Sequence, residues 1–402
     1  MAAVNQIQFV YQQLLLALGD GLVIFCSQYW GKRQTEPMRK ISSVAMRAGL
    51  FIAVVLFAAV SLFPREAVGL FTTEESIIRE GTAYLRIVKY TYVFFAVTII
   101  LLATLRSVET VKIASWLSVM AFCVNCCINY VLIYGRFGAP ELGAKGAAIG
   151  TLAARIAECA VLLVYIAKKE KKLHLQLKDY FRADRLMAGD YFRVCLPMLV
   201  VQGLWGLNTA LQTVILGHMS AAAIAANSAA STLFLLVKSM SVGASSTASV
   251  IVGKTIGTGN IPLVKHYSSI MQRMFVVIGL VSGLLLFLIR IPVMTLYDLS
   301  PEAMEMMNTF LIILSVVCVG MSYQMPTNNG IIRGGGNAMF VVKMDLVSIW
   351  MIVIPLSFAM AFVVKASPVV VVCCLNADQI FKCVPAFLES HYGNWIRKLT
   401  RE

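Results

Sequence analysis

The chain has 402 residues, of which 59% are hydrophobic and 13% charged, and it carries a formal net charge of +14. With a mean hydropathy of +0.79 it has too little polar surface to clothe a water-soluble globule, which excludes a soluble binding module or cytosolic enzyme. The basic excess reads as attraction to anionic lipid headgroups, and nucleic acid is not expected as a partner.

Apolar runs of the roughly 20 residues that cross a bilayer lie near 2–30, 43–64, 83–105, 112–134, 145–167, 191–217, 221–252, 268–292, 303–331, 340–364 and 367–388. They are continuous, unlike the short alternating segments of a membrane β-barrel. Backbone groups in hydrocarbon must bond internally, so each run predicts a helix. The expected fold is an all-α integral membrane protein of about 11 transmembrane helices. If the runs alternate across the membrane, the loop Lys32–Lys40, the segment KKEKKLHLQLKDYFRADR (Lys168–Arg185) and the tail Arg397–Arg401 share one face. Positively charged loops stay inside, so that face, with the carboxyl terminus, is expected in the cytoplasm.

The seventh run repeats the first: Asn5 recurs as Asn227, Gly21 as Gly243, Ser27 as Ser249 and Gly31-Lys32 as Gly253-Lys254. After a small insertion Ser42-Ser43 falls on Ser268-Ser269 and Arg47 on Arg273. An even number of crossings separates the two copies, so the duplication is parallel, with its axis along the membrane normal. The expected organisation is an amino-terminal lobe of five spans (1–167), a basic cytoplasmic linker (168–190) and a carboxyl-terminal lobe of six (191–402). Two bundles facing each other across such an axis suit a rocking transporter.

Several local patterns are weighed and set aside. Cys123, Cys126 and Cys127 lie mid-run without a second pair at metal spacing, and core packing is expected for them, as for Cys373-Cys374. VGKTIGTGN (252–260) has Ala248 where a phosphate loop needs its first glycine, so no nucleotide site is expected. RGGGNAMF (333–340) reads as a tight connection between spans, its glycines as hinge candidates. The histidines His174, His218, His266 and His391 fall in loops or at span ends, which leaves no buried catalytic pair and no expected enzyme. Pro197, Pro326 and Pro355 lie in or near spans, as kinks or helix ends.

The stretches SVGASSTASVIVGKTIGTGN (241–260), LRSVETVK (105–112), NCCINYVLIYGRFGAPELGAKGAAIGT (125–151) and GIIRGGGNAMFVVKMDLVSIWMIVIPLS (330–357) resemble the multidrug and toxic compound extrusion (MATE) transporters. The resemblance runs through nearly the whole chain. It implies a cation-driven antiporter in a bacterial cytoplasmic membrane, which exports small amphipathic, often cationic molecules by alternating access, with Na⁺ or H⁺ as coupling ion and no cofactor. A monomer is expected. The segment similar to the family's second helix begins at Ala2, so its first helix has no counterpart here and the amino end falls on the outer face. A lipid-linked saccharide flippase of the same superfamily and a truncated, inactive transporter are the alternatives. The few basic residues within runs speak against the flippase.

The family's fifth helix presents an Asn and an acidic residue four apart, and its sixth a Thr after a GaA motif. In this chain these positions are Asn125, Asn129 and Thr151. Position 129 is Asn where the family has Asp, so the cluster carries no titratable group. The two asparagines either converge their carbonyls on one ion or hydrogen-bond across the bundle. The ionisable groups read within runs are Asp20, Arg155, Glu158, Lys238 and Asp345, of which Asp20, Glu158 and Asp345 are coupling candidates. Arg155 and Glu158, three apart, suit a local ion pair. Asp345 either couples or pairs with Lys343 or Arg333 near the helix end. Lys238 either faces the cleft, opposing cationic cargo, or pairs with a carboxylate. CLPMLVVQGLWGLN (195–208) resembles the seventh helix, with Gln202 where many members carry Glu. Cargo contacts are expected from Gln202, Trp205, Asn208, Met240, Tyr323 and Met325, whose amide, aromatic and thioether groups suit flat cations of varied shape.

Overall fold

The computed structural model describes residues 2–69, 75–175, 184–297 and 299–400. The chain folds as two compact units, Met1–Leu199 and Val200–Glu402. Among the described residues, ten helices are long and apolar enough to cross a membrane, or eleven when one bent pair counts as a single span.

The amino unit contains α1 (Ala2–Gly31), α2 (Thr35–Leu62), the short α3 (Pro64–Gly69), α4 (Glu75–Val88), α5 (Thr91–Ser107), α6 (Lys112–Ile133), α7 (Ala144–Lys169) and the start of α8 (Arg185–Gly217). The third expected span is the bent pair: Ile78–Val88 meets Thr91–Ser107 at 52°. The sequence reading starts this span near residue 83 because Arg79, Glu80 and Arg86 dilute the apolar signal of α4. Lys89, at the bend, is housed by the Ser61 hydroxyl 3.0 Å from its ammonium and by the rings of Phe57 and Tyr90 at 5.1 and 5.4 Å. Helices α1, α2 and α5 pack on one another, and α7 bridges α4, α5 and α6. The core at their meeting is closed by Tyr11, whose hydroxyl donates to the Tyr92 carbonyl at 2.6 Å.

Helix α6 packs chiefly on α7 and buries only Leu117. Cys123, Cys126 and Cys127 are exposed on it, which corrects the expectation of core packing. The reason is that α6 has one principal helical neighbour, so most of its circumference keeps apolar residues such as Trp116, Val119 and Phe122 on the surface. For a helix in hydrocarbon that exposure carries little penalty, because lipid is as apolar as a packed core.

The carboxyl unit contains the rest of α8, α9 (Ala221–Gly257), α10 (Ile261–Met294), α11 (Pro301–Met325), α12 (Ala338–Asp345), α13 (Ile354–Phe358), α14 (Pro368–Asn376), α15 (Asp378–Phe381) and α16 (Cys383–Tyr392). Short connections are fixed by N-caps, with Ser220, Asn260 and Ser300 each accepting a backbone N–H three residues on. VGKTIGTGN is thus the end of α9 and a turn: Gly259 takes the left-handed conformation, φ +81°, that only glycine adopts freely.

The extensive α10–α11 interface depends on small residues. Gly279 and Gly283 lie four apart on α10, and a Cβ at Gly283 would run into the Ser315 carbonyl of α11. With no hydrophobic drive between helices in lipid, such close approach supplies the dispersion contact that holds them. Prolines mark where the winding loosens. Helix α11 widens into a π-helical stretch at Pro326–Ile332, and π-helical turns at Leu346–Val353 and Ala359–Val363 flank α13, which contains Pro355. A proline lacks the N–H that an α-turn needs, which makes a wider turn locally acceptable. Pro197 lies inside α8. The stretch 333–340 is a packing surface: Trp395, 1% exposed, sits against Gly335, and the Arg397 N–H donates to the Gly335 carbonyl at 2.8 Å.

Candidate functional site

In the amino unit, α6 and α7 bring the expected trio together. Asn125 and Asn129 are one helical turn apart on α6, and the Asn129 amide donates to the Asn125 carbonyl oxygen at 3.0 Å. Asn125 in turn donates to the Thr151 hydroxyl on α7 at 3.4 Å, and Thr151 donates to the Ala147 carbonyl at 3.0 Å. The chain of donors leaves one acceptor over. Asn129 Oδ1 is buried with no hydrogen-bond partner in the protein. It points at Gly150, where a Cβ would overlap it. An orphaned buried carbonyl costs about 1–3 kcal/mol, and it is the kind of group that a cation or a donor on cargo would satisfy.

The charged candidates are all paired. Asp20 accepts from Arg106, in the last turn of α5, at 3.0 Å. Glu158 accepts from Arg155 at 2.7 Å, and the guanidinium lies 4.8 Å over the Phe95 ring. Glu158 is buried at 7% side-chain exposure, whereas Asp20 keeps 39%.

In the carboxyl unit the partner of Asp345 is Lys382, at 2.8 Å, rather than Lys343 or Arg333. Lys382 comes from the turn between α15 and α16 and also binds Asp378 at 3.0 Å. Spacing of four residues sets Asp378 and Lys382 on one face of the last span. The sequence reading omits both, although the rule that singles out Arg155 and Glu158 applies to them equally. Asp378 is held by a row of amides: Asn328 donates to Gln324 at 3.0 Å, Gln324 to Gln379 at 2.8 Å, and Gln379 to Asp378 at 2.9 Å. A carboxylate at membrane depth is expensive, and every one of Asp20, Glu158, Asp345 and Asp378 has a basic group within 3.0 Å.

The cargo candidates divide. Trp205 is half-buried and has the Lys238 ammonium 5.0 Å above its ring. Lys238 interacts with Asp378 as well. Met240, two residues on from Lys238, is 47% exposed, and its sulfur accepts from Ser282 at 3.6 Å. Gln202 is half-buried on α8. Three others are engaged elsewhere. Asn208 is buried and accepts from Gln212 at 3.5 Å, Tyr323 donates to Gln272 at 2.9 Å, and Met325 packs against the carboxyl core. A cavity of about 430 Å³ in the amino unit, lined by residues including Leu18, Arg47, Phe51, Asp184, Arg185 and Phe192, contains none of the six.

The chain has known relatives in sequence and in fold. The MatE family pattern matches residues 1–131 and 197–359. The chain belongs to the MATE family of transporters. The probable multidrug resistance protein NorM of Thermotoga maritima is 23% identical over 405 residues, covering 99% of this chain and 86% of that protein. The probable multidrug resistance protein YoeA of Bacillus subtilis is 22% identical over 363 residues, 89% and 77% of the respective chains. Among solved structures, a mutant of the Vibrio cholerae MATE transporter VcmN superposes with a TM-score of 0.88 at 15% identity, covering 99% of this chain and 89% of that one. The eukaryotic MATE transporter AtDTX14 gives 0.85 at 16% identity, covering 98% and 87%. Like these MATE relatives, the chain is a multi-pass membrane transporter built from helices.

Proposed function

We propose that the chain is a secondary active exporter of small amphipathic, often cationic compounds, driven by inward movement of Na⁺ or H⁺ through alternating access. What carries this reading is the match of both halves to the MatE pattern, together with curated relatives of almost full overlap named as probable multidrug resistance proteins. The site of action is a bacterial cytoplasmic membrane, with the basic segments and carboxyl terminus inside.

In this mechanism the exchanged cation is taken at the α6–α7 cluster, where Asn129 Oδ1 lacks a donor and Asn125 and Thr151 supply further oxygens. None of the three titrates, which favours Na⁺ over a proton at this point. Asp20 and Glu158 supply fixed negative charge in the amino unit and Asp345 in the carboxyl unit, each already held by a base. Cargo is received against Trp205, with Gln202, Asn208, Met240, Tyr323 and Met325 as further contacts. A cationic cargo competes there with the Lys238 ammonium for the ring face.

The test is accumulation of a fluorescent lipophilic cation in inverted vesicles bearing the protein. An imposed Na⁺ or proton gradient is expected to drive uptake, and dissipating it to stop uptake. Movement indifferent to both gradients would remove the antiport reading.

A further inference from the structure

The carboxyl unit holds a cation of its own. The Lys382 ammonium is almost completely enclosed, with its side chain 4% exposed, and two carboxylates from different segments converge on it: Asp345 at the end of α12 and Asp378 in α15. We propose that Lys382 is a tethered counter-cation that fills the position between Asp345 and Asp378, so that the carboxyl unit binds no exchangeable Na⁺ at Asp345.

Charge balance is the first argument. The Lys382 ammonium stands between Asp345 and Asp378 and already balances the charge of the Asp345 carboxylate. A monovalent ion entering at Asp345 would sit beside that fixed ammonium, and the repulsion between the two like charges opposes its binding. The second argument is the direction of the amide row. Asn328, Gln324 and Gln379 each donate toward Asp378, so their dipoles stabilise its ionised form. The third is geometry. Asp345 Oδ1 and Asp378 Oδ2 lie 2.8 and 3.0 Å from one nitrogen, the spacing of charge-assisted hydrogen bonds, so the ammonium occupies the point where a free ion would have to sit.

This inference deepens the exporter reading by locating ion exchange away from Asp345. Its test uses no gradient and no cargo, so either can fail without the other. Equilibrium binding of radioactive ²²Na⁺ to the purified full-length protein in micelles, with choline balancing ionic strength, is compared across variants. Wild type and Asp345→Asn are expected to give the same isotherm. Lys382→Arg keeps the charge and is expected to match wild type. Lys382→Ala empties the position and is expected to gain Na⁺ affinity by about tenfold or more, a gain lost again when Asp345→Asn is added. Wild-type Na⁺ binding that weakens severalfold in Asp345→Asn overturns the proposal, as does a folded Lys382→Ala protein without the gain. Should Lys382→Ala not fold, the comparison of wild type with Asp345→Asn decides alone.

Discussion

The side-chain amide of Asn129 is where one atom most changes the chemistry available to the molecule. Its carbonyl has no partner and its cluster no charge, so Asn129→Asp adds a full negative charge beside any bound ion. Efflux assays are expected to show apparent Na⁺ affinity tightened by about tenfold, the equivalent of ~1.4 kcal/mol. Glu158 and Arg155 give an asymmetric prediction. Arg155 retains 28% exposure and lies over the Phe95 ring, so Glu158→Gln leaves a cation that is only partly enclosed, and the loss should fall below the roughly 3–5 kcal/mol of a fully buried broken pair. Arg155→Gln leaves Glu158, at 7% exposure, without its base, and thermal unfolding in micelles is expected to show the larger drop.

At the scale of elements the helix contacts that matter are those where backbones nearly touch. Gly283→Ala inserts a methyl against the Ser315 carbonyl and should destabilise by about 1–3 kcal/mol, read as a lower unfolding temperature. Gly243→Ala, with open space around its Cβ, should be neutral or stabilise by about 0.5–1 kcal/mol. Runs of apolar residues identify which segments cross, since bilayer thickness sets their length. They do not mark the 52° bend between α4 and α5, because no proline sits there and the charges of α4 hide it from a hydropathy scan. The exposure of Cys123, Cys126 and Cys127 escapes the same reading, because inside a membrane an apolar residue fits equally well against protein or lipid.

For the molecule as a whole, the placement of basic segments predicts an orientation that is open to experiment. A cysteine at the exposed Lys171, in a background without Cys123, Cys126, Cys127 and the likewise exposed Cys373, is expected to resist an impermeant thiol reagent in whole cells and to react in inverted vesicles. The sequence also carries the pairing of Asn125, Asn129 and Thr151, because one family position maps to each. It does not carry the alliance of Asp345 with Lys382, since contacts between residues 37 apart in the chain depend on which helices become neighbours. Asp345 closes α12 just before the π-helical turns of Leu346–Val353. A π-turn holds one residue more than an α-turn, so rewinding such a segment rotates whatever flanks it by about 100° relative to the far end. The tenth span therefore contains a screw thread in its own backbone, and the ion pair of Asp345 with Lys382 pins one end of it.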